Sequence, residues 1–123
     1  MLLMLALAAS VPAYAEWISY QRGTEVDELV DSQPIARNGG RVTVWTLTNY
    51  AKPMTTLEGQ DYGSEKMLTT VDCTARKAGA EQVIRYSGTD AGGDVISSME
   101  TPLRLVGVKA GSTEEALLAR ICP

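Results

Sequence analysis

The chain has 123 residues, of which 45% are hydrophobic and 21% are charged, so it has the composition of one folded domain rather than a disordered segment. Its formal net charge is −4 and its basic residues are scattered singly, which argues against a nucleic acid partner or an anionic membrane surface. The chain has no histidine, so the commonest general base and transition-metal ligand is absent. The composition therefore predicts a non-enzymatic protein without a cofactor.

The first fifteen residues form an apolar run, MLLMLALAASVPAYA. Its Ala-Tyr-Ala ending matches the small-x-small site of signal peptidase, so we expect residues 1–15 to be a signal peptide and residues 16–123 to be one mature domain. The run carries no Lys or Arg, whereas signal peptides ordinarily begin with a basic residue. A buried segment of a cytosolic domain is the alternative, and a membrane span is disfavoured because it needs about 20 apolar residues.

Short runs rich in Val, Ile, Thr, Tyr and Trp alternate with glycine-containing turns, which is typical of an antiparallel β meander. The clearest strand is Arg41–Tyr50, and the Asn38-Gly39-Gly40 turn predicts a hairpin with the preceding segment, Glu25–Ile35. The other predicted strands are Lys66–Ala75, Glu81–Ser87, Asp94–Ser98 and Leu103–Val108, and Trp17–Tyr20 is a candidate for an additional strand at the edge. A helix is the alternative for the segment from residue 66 to 75, but its Thr-Thr-Val content favours a strand.

The hydrophobic period changes to that of a helix near the C-terminus. Ser112 followed by Glu115 forms a capping box, which predicts a short helix beginning there. Leu117, Leu118, Ile121 and Cys122 share one stripe of this helix. Strand alternation places Cys73 on the more apolar face of its own strand. We therefore predict an α+β fold, in which a C-terminal helix packs on one face of an antiparallel sheet of about five to six strands.

Cys73 and Cys122 are the two cysteines of the chain. In the oxidising compartment that export implies, two thiols tend to pair. The bond would close a loop of about 50 residues and contribute ~4 kcal/mol in the chain-entropy model. Because so short a helix does not hold in isolation, we predict a structural disulfide rather than a redox pair.

Polar clusters in the sequence lack the spacing that catalysis or metal binding requires. The acidic group Glu25, Asp27, Glu28 and Asp31 does not form a calcium loop, so a solvated strand edge is the favoured interpretation. The segment Asp90–Asp94 is interpreted as a turn, and no serine has a histidine to serve as its base.

Aromatic side chains are the candidates for a binding surface, since they are common anchors at protein interfaces. Trp45 is expected in the core. Tyr50 and Tyr62 border the segment Ala51–Ser64, which we predict to be a long exposed loop and the main binding element. The candidate binding surface therefore consists of Tyr50, Lys52 and Tyr62.

The chain also carries an ordered series of short motifs. They are Trp17, Asp31-Ser32 and Ile35 before Gly39-Gly40, the V-x-V-W-x-L-x-x-Y pattern from Val42 to Tyr50, Ser64-x-Lys66 leading to Cys73, Arg85-Tyr86-Ser87, and Gly111-Ser112 followed by Glu115, Leu117 and Cys122. In this order, and with these cysteine positions, the chain resembles the surface-adhesin protein E family of proteobacteria over nearly all of its mature length. Members of that family often have Pro before the Gly-Ser turn, where this chain has Ala110.

The resemblance implies an antiparallel sheet tied to a C-terminal helix by a disulfide, in a protein of the periplasm or cell surface of a Gram-negative bacterium. It further implies adhesion to host matrix or serum proteins, although no ligand-binding motif transfers residue by residue. The alternative is a structural or assembly accessory of the cell envelope, whose partner would be an envelope protein. A homodimer is also expected, because both faces of the sheet need cover and the helix supplies only one.

Overall fold

The computed structural model describes residues 15–123, in which eight strands form one sheet and one helix packs on it. The strands are β1 (Trp17–Arg22), β2 (Val26–Asp31), β3 (Ala36–Asn38), β4 (Arg41–Thr55), β5 (Asp61–Asp72), β6 (Lys77–Tyr86), β7 (Val95–Glu100) and β8 (Val106–Gly107), and the helix α1 spans Thr113–Ile121. The predicted signal peptide, residues 1–15, lies outside the described residues except for Ala15. The α+β class is confirmed. The sheet has more than the predicted five to six strands, because the edge segment forms the full strand β1 and because β3, of three residues, is too short to show a periodic pattern.

All strand pairs are antiparallel, in the order β1-β2-β4-β5-β6-β7, with β3 also on β4 and β8 also on β6. The predicted glycine turn closes the β3–β4 hairpin, where Asn38 lies opposite Arg41. Gly39 has a φ of +62°, a conformation that costs glycine little because it has no Cβ. β2 pairs with the middle of β4, so that Leu29 lies opposite Leu47.

The prediction of a long loop over Ala51–Ser64 is wrong. β4 continues through Thr55 and β5 begins at Asp61, so these residues form an extended hairpin with a short turn. Pro53 lies in a register shift near the end of this pairing, where its missing N–H does not break a regular ladder. Proline ordinarily marks the end of a strand, and for this reason the sequence predicts a loop here.

The remaining predicted strands are confirmed with shifted ends. Lys66–Ala75 lies mostly in β5, which excludes the helix alternative for it. Glu81–Ser87 lies in β6 and Asp94–Ser98 in β7, whereas Leu103–Val108 contributes only the two residues of β8. The sequence thus located these strands but not their ends.

The helix begins as its capping residues predict. The Glu115 N–H donates to the Ser112 hydroxyl at 3.2 Å. The Glu115 carboxylate accepts the N–H of Gly111 at 3.2 Å, one residue earlier than in a standard capping box. Glu114 and Glu115 occupy the first turn, where the helix dipole favours negative charge.

The main core lies between α1 and the face of the sheet that carries the predicted disulfide. Its buried residues are Val30, Val42, Val44, Val71, Ala78, Leu117 and Leu118. Ile121 and Cys122 pack at its margin, which confirms the predicted helix stripe. Cys73 and Cys122 form a disulfide, with their Cα atoms 5.6 Å apart, and so join the end of β5 to the end of α1.

Trp45 does not belong to this core, contrary to the prediction. It is half-buried on the opposite face of the sheet, because Val42 and Val44 take the inward positions of β4. The Lys66 ammonium lies 4.2 Å from the centroid of the Trp45 ring, a cation–π contact. Burial lowers the pKa of Lys66, an effect that nearby Asp31 opposes.

The chain itself covers part of that opposite face. A Cβ on Gly79 would collide with the backbone carbonyl oxygen of Arg104, so glycine permits the segment after β7 to cross closely. At the other end of the sheet, the buried Ser64 hydroxyl donates to the Gly88 carbonyl at 2.6 Å and accepts the Ala91 N–H at 3.1 Å. The second face therefore needs less external cover than the sequence predicts.

Candidate functional site

The three predicted binding residues lie where β4 and β5 leave the body of the sheet. Tyr50 is half-buried and Lys52 is exposed, whereas Tyr62 is only 6% exposed. The rings of Tyr50 and Tyr62 meet edge to face, with centroids 5.7 Å apart. Tyr62 is therefore a supporting residue, and Tyr50 and Lys52 are the members of the predicted surface that solvent reaches.

Tyr62 also contacts an arginine that is itself ion-paired. The Arg85 guanidinium lies 4.7 Å from the Tyr62 ring centroid, and its Nε donates to a Glu65 carboxylate oxygen at 3.0 Å. The hydrogen bond with Glu65 raises the pKa of Arg85. Burial, assisted by the charge of Glu65, raises the pKa of Tyr50 to about 12. At neutral pH the Tyr50 hydroxyl is thus protonated and can donate a hydrogen bond to a ligand.

Residues 51–61 project past Tyr50 and Tyr62 as a hairpin, which we call the β4–β5 arm. Its turn is closed by two hydrogen bonds, from the Thr56 N–H to the Gln60 carbonyl at 2.8 Å and from the Gly59 N–H to the Thr56 carbonyl at 2.9 Å. Leu57 at the tip is fully exposed and Met54 on the side is 45% exposed. The arm therefore presents apolar side chains on a backbone that its own hydrogen bonds hold in place.

A cavity of about 490 Å³ lies at the base of the arm. Its lining consists of Thr24, Glu25, Val26, Tyr50, Ala51, Lys52 and Met54. Tyr50 and Lys52, two of the three residues of the predicted surface, both line it. Met54 and the residues before β2 were not predicted to belong to this surface, and the residues before β2 join the cavity because Val26 pairs with Tyr50. The predicted hairpin signalled that these segments are neighbours but did not give the register.

Glu28 is not the solvated edge carboxylate that the sequence favours. It is half-buried, and the Thr48 hydroxyl donates to it at 2.7 Å. Burial raises the pKa of Glu28, the Thr48 hydrogen bond opposes that shift, and the charges of Glu65 and Glu114 add to it. The folded environment therefore disfavours the ionised form of this carboxylate.

Glu28→Gln is expected to increase the free energy of unfolding at neutral pH and to flatten its dependence on pH. Because the pKa of Glu28 is raised in the folded protein, the folded state binds more protons than the unfolded state between the ordinary and the raised value. Wild-type stability therefore falls as the pH rises through this window, and glutamine removes that loss.

Urea unfolding at a series of pH values measures this effect. Glu58→Gln on the exposed turn of the arm is the matched control, and we expect it to keep the wild-type pH profile. Parallel profiles for the wild type and Glu28→Gln would contradict the role assigned to burial.

Three of the other acidic residues that the sequence analysis considered accept hydrogen bonds within the fold. Asp27 accepts from the Ser19 hydroxyl at 2.6 Å, Asp31 from the Gln33 N–H at 2.9 Å, and Asp90 from the Asn49 amide at 2.7 Å. Within residues 15–123, no three His, Cys, Asp or Glu side chains converge as a metal site would require. Over the same residues, no helix has the length and apolar character that crossing a membrane demands.

Comparison with known proteins places this fold among characterised ones. Residues 17–123 match the family model described as surface-adhesin protein E. The crystal structure of protein E from non-typeable Haemophilus influenzae is similar, with a TM-score of 0.68 and 15% sequence identity over 94% of this chain and 81% of that chain. At this identity, the structural likeness shows a shared fold only. A comparison with curated proteins gives no match.

Proposed function

Because the chain belongs to the surface-adhesin protein E family, we propose that it is an exported, non-enzymatic, adhesin-like module that binds host matrix or serum proteins. The family match over residues 17–123 supports the adhesin-like role. The observation that carries the proposal for a binding site is the β4–β5 arm, with Leu57 exposed at its tip and the cavity at its base.

The arm has the physical properties of a protein-binding element. Exposed apolar side chains gain most from being covered by a partner, and Leu57 and Met54 offer such surface. The hydrogen-bonded turn loses little conformational freedom on binding, which lowers the entropic cost of association. Tyr50 and Lys52 at the base add a hydroxyl donor and a positive charge that can orient the ligand.

Capture from complex mixtures tests this proposal. Protein recovered from the periplasm after expression of the full chain is immobilised and exposed separately to host serum and to an extract of the bacterial envelope. We expect a serum or matrix protein to be retained, and the purified ligand to bind Leu57→Ala and Met54→Ala about tenfold more weakly than wild type. Met99→Ala is the matched control, since Met99 is 56% exposed on β7, away from the arm.

Two outcomes would overturn parts of the proposal. Retention of envelope proteins alone would favour a structural or assembly accessory of the envelope over an adhesin. Wild-type affinity in both arm variants would remove the arm from the binding site.

The proposal includes export through cleavage after Ala15. The mature protein is then expected to begin at Glu16, which N-terminal sequencing of periplasmic material determines. Protease treatment of intact cells separates the two locations, because only a surface-exposed protein is cleaved. A retained apolar N-terminus would contradict cleavage.

We also propose a homodimer through the part of the second sheet face that the chain leaves half-buried, around Trp45 and Leu68. A two-fold interface would use one such patch twice. Light scattering at micromolar concentrations measures the molar mass in solution. The mass of a monomer at all of these concentrations would contradict the dimer and show that this face stays uncovered.

A further inference from the structure

A second cavity, of about 300 Å³, lies between the first turn of α1 and the sheet. Leu117 on one side of it is buried and Met67 is half-buried, whereas Glu114 is exposed. The cavity is therefore closed at depth by apolar side chains together with the buried pair Thr46 and Thr69, whose hydroxyls bond each other at 2.9 Å, and it opens to solvent beside Glu114. It shares no lining residue with the cavity at the base of the β4–β5 arm.

Two carboxylates line this cavity, and its lining includes no Lys or Arg. Glu28 lies on the wall of the cavity and Glu114 at its mouth. The charges of both carboxylates act on the Tyr20 hydroxyl. Burial and then the charges of Glu28 and Glu114 raise the pKa of Tyr20. Two arginines on nearby elements already pair with other carboxylates, Arg85 with Glu65 at 3.0 Å and Arg76 with Glu115 at 3.9 Å. The cavity consequently holds negative charge that these arginines do not neutralise.

We propose that this cavity binds a primary alkylammonium group, carried either by a lysine of a protein partner or by a free amine. Such a group has three N–H donors and a flexible methylene stem. Glu28, Glu114 and the Tyr20 oxygen offer acceptors to the ammonium, and Met67 and Leu117 offer apolar contact to the stem.

The same geometry disfavours two other cations. A divalent ion such as Ca²⁺ takes about six to eight oxygen ligands, more than two carboxylates supply. A guanidinium prefers to hold both oxygens of one carboxylate. Glu28 already accepts the Thr48 hydroxyl at one of its oxygens, so a compact ammonium fits it better than a planar fork.

Nuclear magnetic resonance titration of the isotope-labelled protein from the periplasm tests the proposal. The probes are n-butylammonium, its neutral counterpart n-butanol, the peptide acetyl-Gly-Lys-Gly-amide, and the same peptide with acetylated lysine. We expect saturable amide shifts at Thr48 and Glu114 with the charged probes only. Glu28→Gln and Glu114→Gln should each weaken binding about tenfold, as expected for loss of one charge-assisted hydrogen bond.

Glu58→Gln is the control for net charge, because it removes one carboxylate from the exposed arm and should leave the affinity unchanged. Tighter binding of the lysine peptide than of the free amine would identify a protein partner as the source, and the reverse would identify a small amine. Equal binding of neutral and charged probes, or wild-type affinity in both glutamine variants, would overturn the proposal. Met54→Ala and Leu57→Ala should bind the amine normally, so this inference and the proposed function can fail separately.

Discussion

Removing the disulfide is expected to lower the free energy of unfolding by about 4 kcal/mol, because a link across a sequence separation of 49 residues strongly restricts the unfolded chain. The folded state also depends on it, since α1 has nine residues and would not persist without its anchorage to β5. Net stabilities of small domains are only ~5–15 kcal/mol, so this loss is a large share of the total. We expect it to exceed the effect of any single surface substitution.

Denaturant unfolding of the double variant Cys73→Ser with Cys122→Ser measures this loss without leaving a reactive thiol. Ala119→Ser is the control, since it adds a hydroxyl at an exposed position of α1 and should cost no more than about 0.5 kcal/mol. Reduction of the wild type should reproduce the destabilisation of the double variant. A difference below about 1 kcal/mol would mean that packing alone retains the helix.

Leu118→Ala is expected to lower the free energy of unfolding by about 3 kcal/mol. Leu118 is 1% exposed and packs in the core between α1 and the sheet, so the truncation removes apolar contacts and leaves a void. Few other side chains of this short helix can move to fill the void, because Leu117 is the only other buried residue of α1.

Leu57→Ala supplies the same chemical change at the tip of the β4–β5 arm, where the side chain is fully exposed. We expect it to change stability by no more than about 0.5 kcal/mol. Equal destabilisation by the two variants, measured by urea unfolding with comparable m-values, would contradict the placement of the core. A stable Leu57→Ala protein also means that any loss of ligand binding by this variant comes from the arm and not from unfolding.

Local sequence rules were sufficient for the C-terminal helix, the glycine turn and the disulfide. Ser112 and Glu115 begin the helix through hydrogen bonds to backbone groups within four residues, so their spacing alone predicts it. The turn at Gly39 is likewise decided by a backbone conformation that glycine favours. The disulfide was predictable because the chain offers only one pair of cysteines.

The candidate sites depended on contacts between residues far apart in the chain. Tyr62 and Tyr50 both border the same segment in sequence, yet Tyr62 is buried under Arg85 while Tyr50 reaches the cavity at the base of the arm. Only the pairing of β5 with β6 brings Arg85 there, opposite Glu65.

By itself, the sequence determined the α+β class, the helix with its buried stripe, the disulfide and the β3–β4 turn, because each rests on composition or on interactions between near neighbours. The tertiary structure alone decided that Glu28 lies in a cavity with Glu114, that Trp45 leaves the main core, and that residues 51–61 form an arm rather than a loop. These features depend on strand register, and a shift of one residue in register would exchange the two faces of a strand. Register is fixed by the sum of many cross-strand contacts, and no single segment of the chain contains that sum.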